Sequence, residues 1–76
     1  MEFKEFLTEM ADLLEVEVED LKDDFELNNE NFSSVNVIST IALIDEYFDV
    51  VVSGKALSEA KTIGEILELI KKAKEE

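Results

Sequence analysis

The chain has 76 residues and 46% hydrophobic content, enough for one domain near the lower size at which a single core holds without metal or disulfide. Cysteine and histidine are absent, which removes disulfides, thiolate and imidazole metal sites and most nucleophile–base pairs, so an enzyme is not expected. Twenty acidic residues against seven lysines give a formal charge of −13, which repels nucleic acid and anionic membranes and selects basic partner surfaces.

Phe3, Phe6, Leu7, Met10, Leu13 and Leu14 recur at three- and four-residue steps. That spacing predicts an amphipathic helix from residue 1 to about 16, with Glu2, Glu5, Glu9 and Asp12 toward solvent. Residues 15–30 lose the period and are rich in acids, so they read as a long loop with one helical turn at 19–22. Val16, Val18, Leu21, Phe25 and Leu27 are its pins across the bundle, and its acids form a solvated face. A calcium loop beginning at Asp24 fails, because Asn29 stands where the glycine is required and Val35 where the bidentate glutamate is required.

Residues 32–48 read as the central helix. Val37, Ile41, Ile44 and Phe48 are spaced four, three and four apart, with Ile38 and Ala42 widening the stripe, so this face is expected to be core. Ser33 and Ser34 stand at its start. One serine suffices as N-cap, and the other presents a hydroxyl at the positive end of the helix dipole, where an attached phosphate is stabilised. The bland alternative is that both serines only cap and turn the chain.

Val50, Val51 and Val52 form a β-branched run expected to cross the core in extended form. Ser53-Gly54 breaks the chain before a short third helix over 55–60. Thr62-Ile63-Gly64-Glu65 is a capping box that opens a last helix with the stripe Ile63, Ile66, Leu67, Ile70 and Ala73. Lys71, Lys72 and Lys74 suit its negative end. With no proline, no repeat and no low-complexity segment, the expectation is a single all-α domain over 1–76, a small four-helix bundle of three main helices and one short one.

The triplet Ser33-Ser34-Val35, followed after the acidic pair Asp45-Glu46 by Phe48-Asp49, resembles the acyl carrier proteins, small acidic helical domains whose second helix opens with Asp-Ser-Leu. The likeness runs over the helix order of nearly the whole chain. It implies a 4'-phosphopantetheine arm held covalently on Ser34 and a carrier of acyl intermediates, as thioesters, for fatty acid or polyketide-type biosynthesis. It implies as partners a phosphopantetheinyl transferase and acyl-processing enzymes with basic docking patches, met by Ser33, Val35, Asp45, Glu46 and Asp49. It further implies an acyl-chain pocket between the second and third helices, lined by Ile38, Ile41, Ala42, Ile44, Val52, Leu57 and Ile63, although each of these residues equally suits plain core packing.

The chain departs from the family pattern at several positions. Ser33 replaces the aspartate whose charge transferases meet, Val35 replaces leucine, and Asn36 and Ser39 thin the acidic face, which implies altered partner recognition or its shift to the acidic loop. Phe32, two residues before Ser34, matches an aromatic found in some divergent carriers. Three other readings stay open: an unmodified carrier-like acidic interaction module, a peptidyl or aminoacyl carrier, and an unrelated acidic four-helix adaptor. With no apolar run long enough for a bilayer and no signal peptide in Met-Glu-Phe-Lys-Glu, a cytoplasmic monomer is expected.

Overall fold

The computed structural model describes residues 3–28 and 30–75. Four α-helices follow in order: α1 (Lys4–Leu14), α2 (Ser34–Phe48), α3 (Gly54–Glu59) and α4 (Ile63–Glu75), with a short 3₁₀ turn at Val18–Asp20 between α1 and α2. Helix order and the all-α class are as the sequence predicts, and no helix among the described residues is long and apolar enough to cross a membrane. The expected first two residues of α1, and Glu2 on its solvent face, lie outside the described residues.

α1 is two residues shorter at its C-terminus than the periodicity suggests. Glu15 adopts the left-handed conformation at φ 60°, and the Val16 amide donates to the Ala11 carbonyl at 2.9 Å, which stops the helix without glycine. α1 buries Phe6, Met10, Ala11 and Leu14, and the rings of Phe3 and Phe6 meet Phe48 of α2 edge-on at centroid distances of 5.5 and 5.4 Å. α2 ends by the same device, with Asp49 left-handed at φ 56°.

The buried stripe of α2 is Val37, Thr40, Ile44 and Phe48, so Thr40 takes the central place expected of Ile41. A fully buried threonine is tolerated there because its hydroxyl is satisfied. It donates to the Asn36 carbonyl at 2.8 Å and lies 3.5 Å from the Met10 sulfur. Ile41 is half-buried and packs against the core, whereas Ala42 is exposed and Ile38 is 67% exposed, so these last two do not widen the stripe. Apolar residues surround most of α2, and spacing alone therefore admits more than one stripe.

The 15–30 loop is more firmly attached than its composition suggests. Leu21 is buried and Phe25 and Leu27 are half-buried, while Val18 stays exposed. Its backbone pairs with the entry to α4: the Leu27 amide donates to the Lys61 carbonyl at 2.8 Å, Ile63 to Phe25 at 3.1 Å and Gly64 to Asp23 at 2.9 Å. Glu26 and Thr62 form an isolated antiparallel bridge within this seam. The extended run after α2 buries Val52 and exposes Val51 by 76%, as two-residue alternation requires.

α3 begins at Gly54, one residue earlier than expected, because the Ser53 hydroxyl accepts from the Ala56 amide at 3.0 Å as an N-cap. α4 opens with a variant of the expected box. The Glu65 amide donates to the Thr62 hydroxyl at 3.3 Å, but the Glu65 carboxylate accepts from the Lys61 amide at 3.1 Å, one residue before the cap. α4 then buries Ile63, Ile66, Leu67 and Ile70 in the common core, packing against α2 and α3.

Candidate functional site

Ser34 is the first residue of α2 and is exposed. Ser33 holds the N-cap position, yet its hydroxyl makes no capping hydrogen bond, which corrects the expectation that one serine of the pair caps by its side chain. The turn leading into α2 is instead fixed by asparagines. The Asn28 side-chain oxygen accepts from the amides of Glu30 and Asn31 at 2.9 and 3.0 Å, and the Asn31 side-chain oxygen accepts from the Asn28 amide at 2.9 Å. Asn31 also donates to the Glu26 carbonyl at 3.1 Å, and Asn36, in the first turn of α2, donates to the Asn31 carbonyl at 2.7 Å. Such local side-chain bonds hold irregular backbone without a regular ladder.

Ser34 opens onto a groove of about 590 Å³ between α2 and α3. Phe32, Val37, Ile38 and Ile41 supply its apolar wall, and Ser33, Gly54, Lys55 and Ser58 complete the lining. Gly54 faces Ile41 across this gap. A Cβ added there would stand 3.5 Å from the Ile41 Cδ1 and 3.9 Å from the Val37 Cγ1, so a larger side chain would occupy the groove.

Of the residues expected to line an acyl pocket, the structure brings Ile38 and Ile41 to this groove. Ile44, Leu57 and Ile63 are at most 1% exposed and Val52 is 7% exposed, all within the closed core beneath it. Ala42 lies on another side of α2, in a shallow depression with Glu9, Asp12, Leu13 and Glu46. Spacing does not mark Gly54, Lys55 and Ser58 as lining residues, because nothing in the period along one helix reports which residues of a neighbouring helix come across to it.

The expected partner residues divide into two groups on α2. Ser33 and Val35, the latter 70% exposed, stand beside Ser34. Asp45, Glu46 and Asp49 are exposed at the opposite end, with Asp45 about 16 Å farther along the helix axis at 1.5 Å per residue. Close to the acids, half-buried Tyr47 has its phenol held above the ordinary tyrosine value by burial first and then by Glu9, Glu46 and Glu5.

Residues 4–70 match the family model described as phosphopantetheine attachment site. The chain belongs to that family. The match runs from the first residue of α1 to Ile70 in α4, so it takes in the whole bundle rather than the serine motif alone. Proteins of this family bind covalently attached 4'-phosphopantetheine and serve as carrier domains, which are generally not catalytic. No curated protein and no solved structure matches the chain.

Proposed function

We propose that this phosphopantetheine carrier bears its arm on Ser34 and holds acyl intermediates as thioesters for fatty acid or polyketide-type biosynthesis. The observation that carries the reading is the exposed Ser34 hydroxyl at the mouth of an apolar groove. The residues present fit the group: the acceptor oxygen is accessible, and the described lining of the groove contains no carboxylate to repel a phosphodiester. The arm supplies the thiol on which acyl groups ride, which reconciles the role with a chain free of cysteine.

Attachment forms a bond from the Ser34 oxygen to the pantetheine-bearing phosphorus of coenzyme A and breaks the pyrophosphate bond, releasing adenosine 3',5'-bisphosphate. The described lining of the groove supplies no carboxylate and the chain has no histidine, so the serine proton passes to a base on the transferase. An acyl chain leaving the arm meets Phe32, Val37, Ile38 and Ile41, a wall that favours a hydrocarbon cargo over an aminoacyl one. Asp45, Glu46 and Asp49 present the charge that basic docking patches recognise, giving fast association at modest affinity.

Intact mass before and after incubation with a broad-specificity transferase and coenzyme A tests the reading. The expected result is a gain of one phosphopantetheine group that Ser34→Ala abolishes while its helix content stays unchanged. A chain that gains no mass with several transferases is an unmodified interaction module, the reading that the uncharged Ser33 favours. Ser33→Asp is expected to raise the modification rate, and an unchanged rate refutes a recognition role for charge at that position.

A further inference from the structure

The chain carries twenty acidic residues, yet among the described residues none lines the groove at Ser34. The depression along α3 and α4 includes Glu59, Glu65 and Glu68, that between α1 and α2 includes Glu9, Asp12 and Glu46, and even the adjoining one at Leu27 and Ala60 includes Glu59. Among the described residues, the single charge lining the Ser34 groove is a cation, Lys55.

Nothing local accounts for that cation. Lys55 is the second residue of α3, in the turn where the helix dipole opposes positive charge. It has no carboxylate within ion-pair distance among the described residues, where the one ion pair, Lys71 with Glu68 at 3.8 Å, lies on α4. Five other lysines, Lys4 at the start of α1 among them, likewise lack an ion-pair partner among the described residues, so what sets Lys55 apart is its place in the lining of the Ser34 groove. The exposed ammonium offers three donors, and Ser58 and Ser33 add hydroxyls to the same rim.

We infer that Lys55 is an anion subsite of the groove, binding an anionic oxygen group borne by the arm on Ser34. The inference rests on the proposed attachment to Ser34. Two groups have this chemistry: the phosphodiester at the serine, and a terminal carboxylate on a dicarboxylic cargo held as its half-thioester. A charge-assisted bond from Lys55 to either one folds the arm over the groove instead of leaving it extended in solvent.

The test uses wild type, Lys55→Gln and Lys55→Arg after treatment with transferase and coenzyme A, with intact mass establishing one arm on each. The ³¹P resonance and the amide resonances of Gly54 and Ser58 are recorded at about 10 mM and about 1 M NaCl, where the screening length falls from ~30 to ~3 Å. Each protein is measured unloaded, then carrying butyryl, then carrying succinyl.

A salt-dependent shift in wild type and Lys55→Arg that is lost in Lys55→Gln supports the subsite. Its presence in the unloaded protein assigns the phosphodiester, and its appearance only with succinyl assigns the cargo carboxylate. Identical behaviour of wild type and Lys55→Gln in all three states overturns the inference while leaving Ser34 attachment intact. Failure of all three proteins to gain mass overturns both.

Discussion

Gly64 shows how one residue ties the loop before the site to the bundle. Its amide donates to the Asp23 carbonyl at 2.9 Å, and a Cβ at this position would lie 2.9 Å from that oxygen and 3.2 Å from the Asp23 Cβ. Backbone leaves no room to yield, so Gly64→Ala is expected to push the loop off α4 and cost about 1–3 kcal/mol. A urea midpoint unchanged from wild type refutes the close approach. Tyr47 gives a second prediction, in alkali. Because its folded phenol titrates above the unfolded value of about 10, the unfolded state releases its proton first, and the stabilisation is full below that pH and is lost as pH rises through the folded value. Wild type should therefore lose stability relative to Tyr47→Phe between pH 8 and about 11, and parallel curves for the two proteins would show that burial and Glu9, Glu46 and Glu5 leave the phenol unaffected.

At the scale of elements, both principal helices before the third are stopped by acidic residues in a left-handed conformation, Glu15 after α1 and Asp49 after α2. Glycine adopts that conformation without a Cβ clash, so Glu15→Gly is expected to raise stability by roughly 0.5–1 kcal/mol, read as an upward shift of the urea midpoint. A downward shift would mean that the Glu15 side chain contributes more than its backbone strain costs. α3 depends on its cap in the opposite sense: Ser53→Ala removes the acceptor of the Ala56 amide from a helix of six residues and should cost about 1 kcal/mol. Because α3 forms one wall of the groove, the same substitution is expected to weaken protection of a bound acyl chain, measured as faster thioester hydrolysis. The elements themselves were readable from spacing, as were the opening of α2 at the serine pair and the threonine–glutamate start of α4. What spacing left undecided was rotation. Around α2 both Ile41 and Thr40 satisfy a helical stripe, and only packing against Met10 selects the threonine. Pairing of the loop with Lys61, Ile63 and Gly64, and the arrival of Gly54 and Lys55 beside Ser34, are contacts between distant segments for which a one-dimensional period holds no information.

Over the whole molecule, charge acts on folding and on association with opposite signs. A formal charge of −13 on 76 residues makes the compact state repel itself, and among the described residues one ion pair, between exposed Lys71 and Glu68, offsets little of that repulsion. Added salt screens the repulsion, so the urea midpoint is expected to rise from about 10 mM to 1 M NaCl, where the screening length falls from ~30 to ~3 Å. The same screening removes attraction to a basic partner, so the efficiency of arm attachment by a basic transferase should fall over that range by about tenfold or more. Opposite responses in one series of samples separate loss of docking from loss of structure. The location of the docking charge is then decided by substitution. If the end of α2 carries it, Asp45→Asn, Glu46→Gln and Asp49→Asn combined should flatten the salt dependence of attachment and leave that of the urea midpoint nearly as steep. Equal flattening by neutralising Glu17, Glu19 and Asp20 in the loop would assign docking to net charge, because field strength alone would then set the encounter rate and no patch on α2 would be singled out.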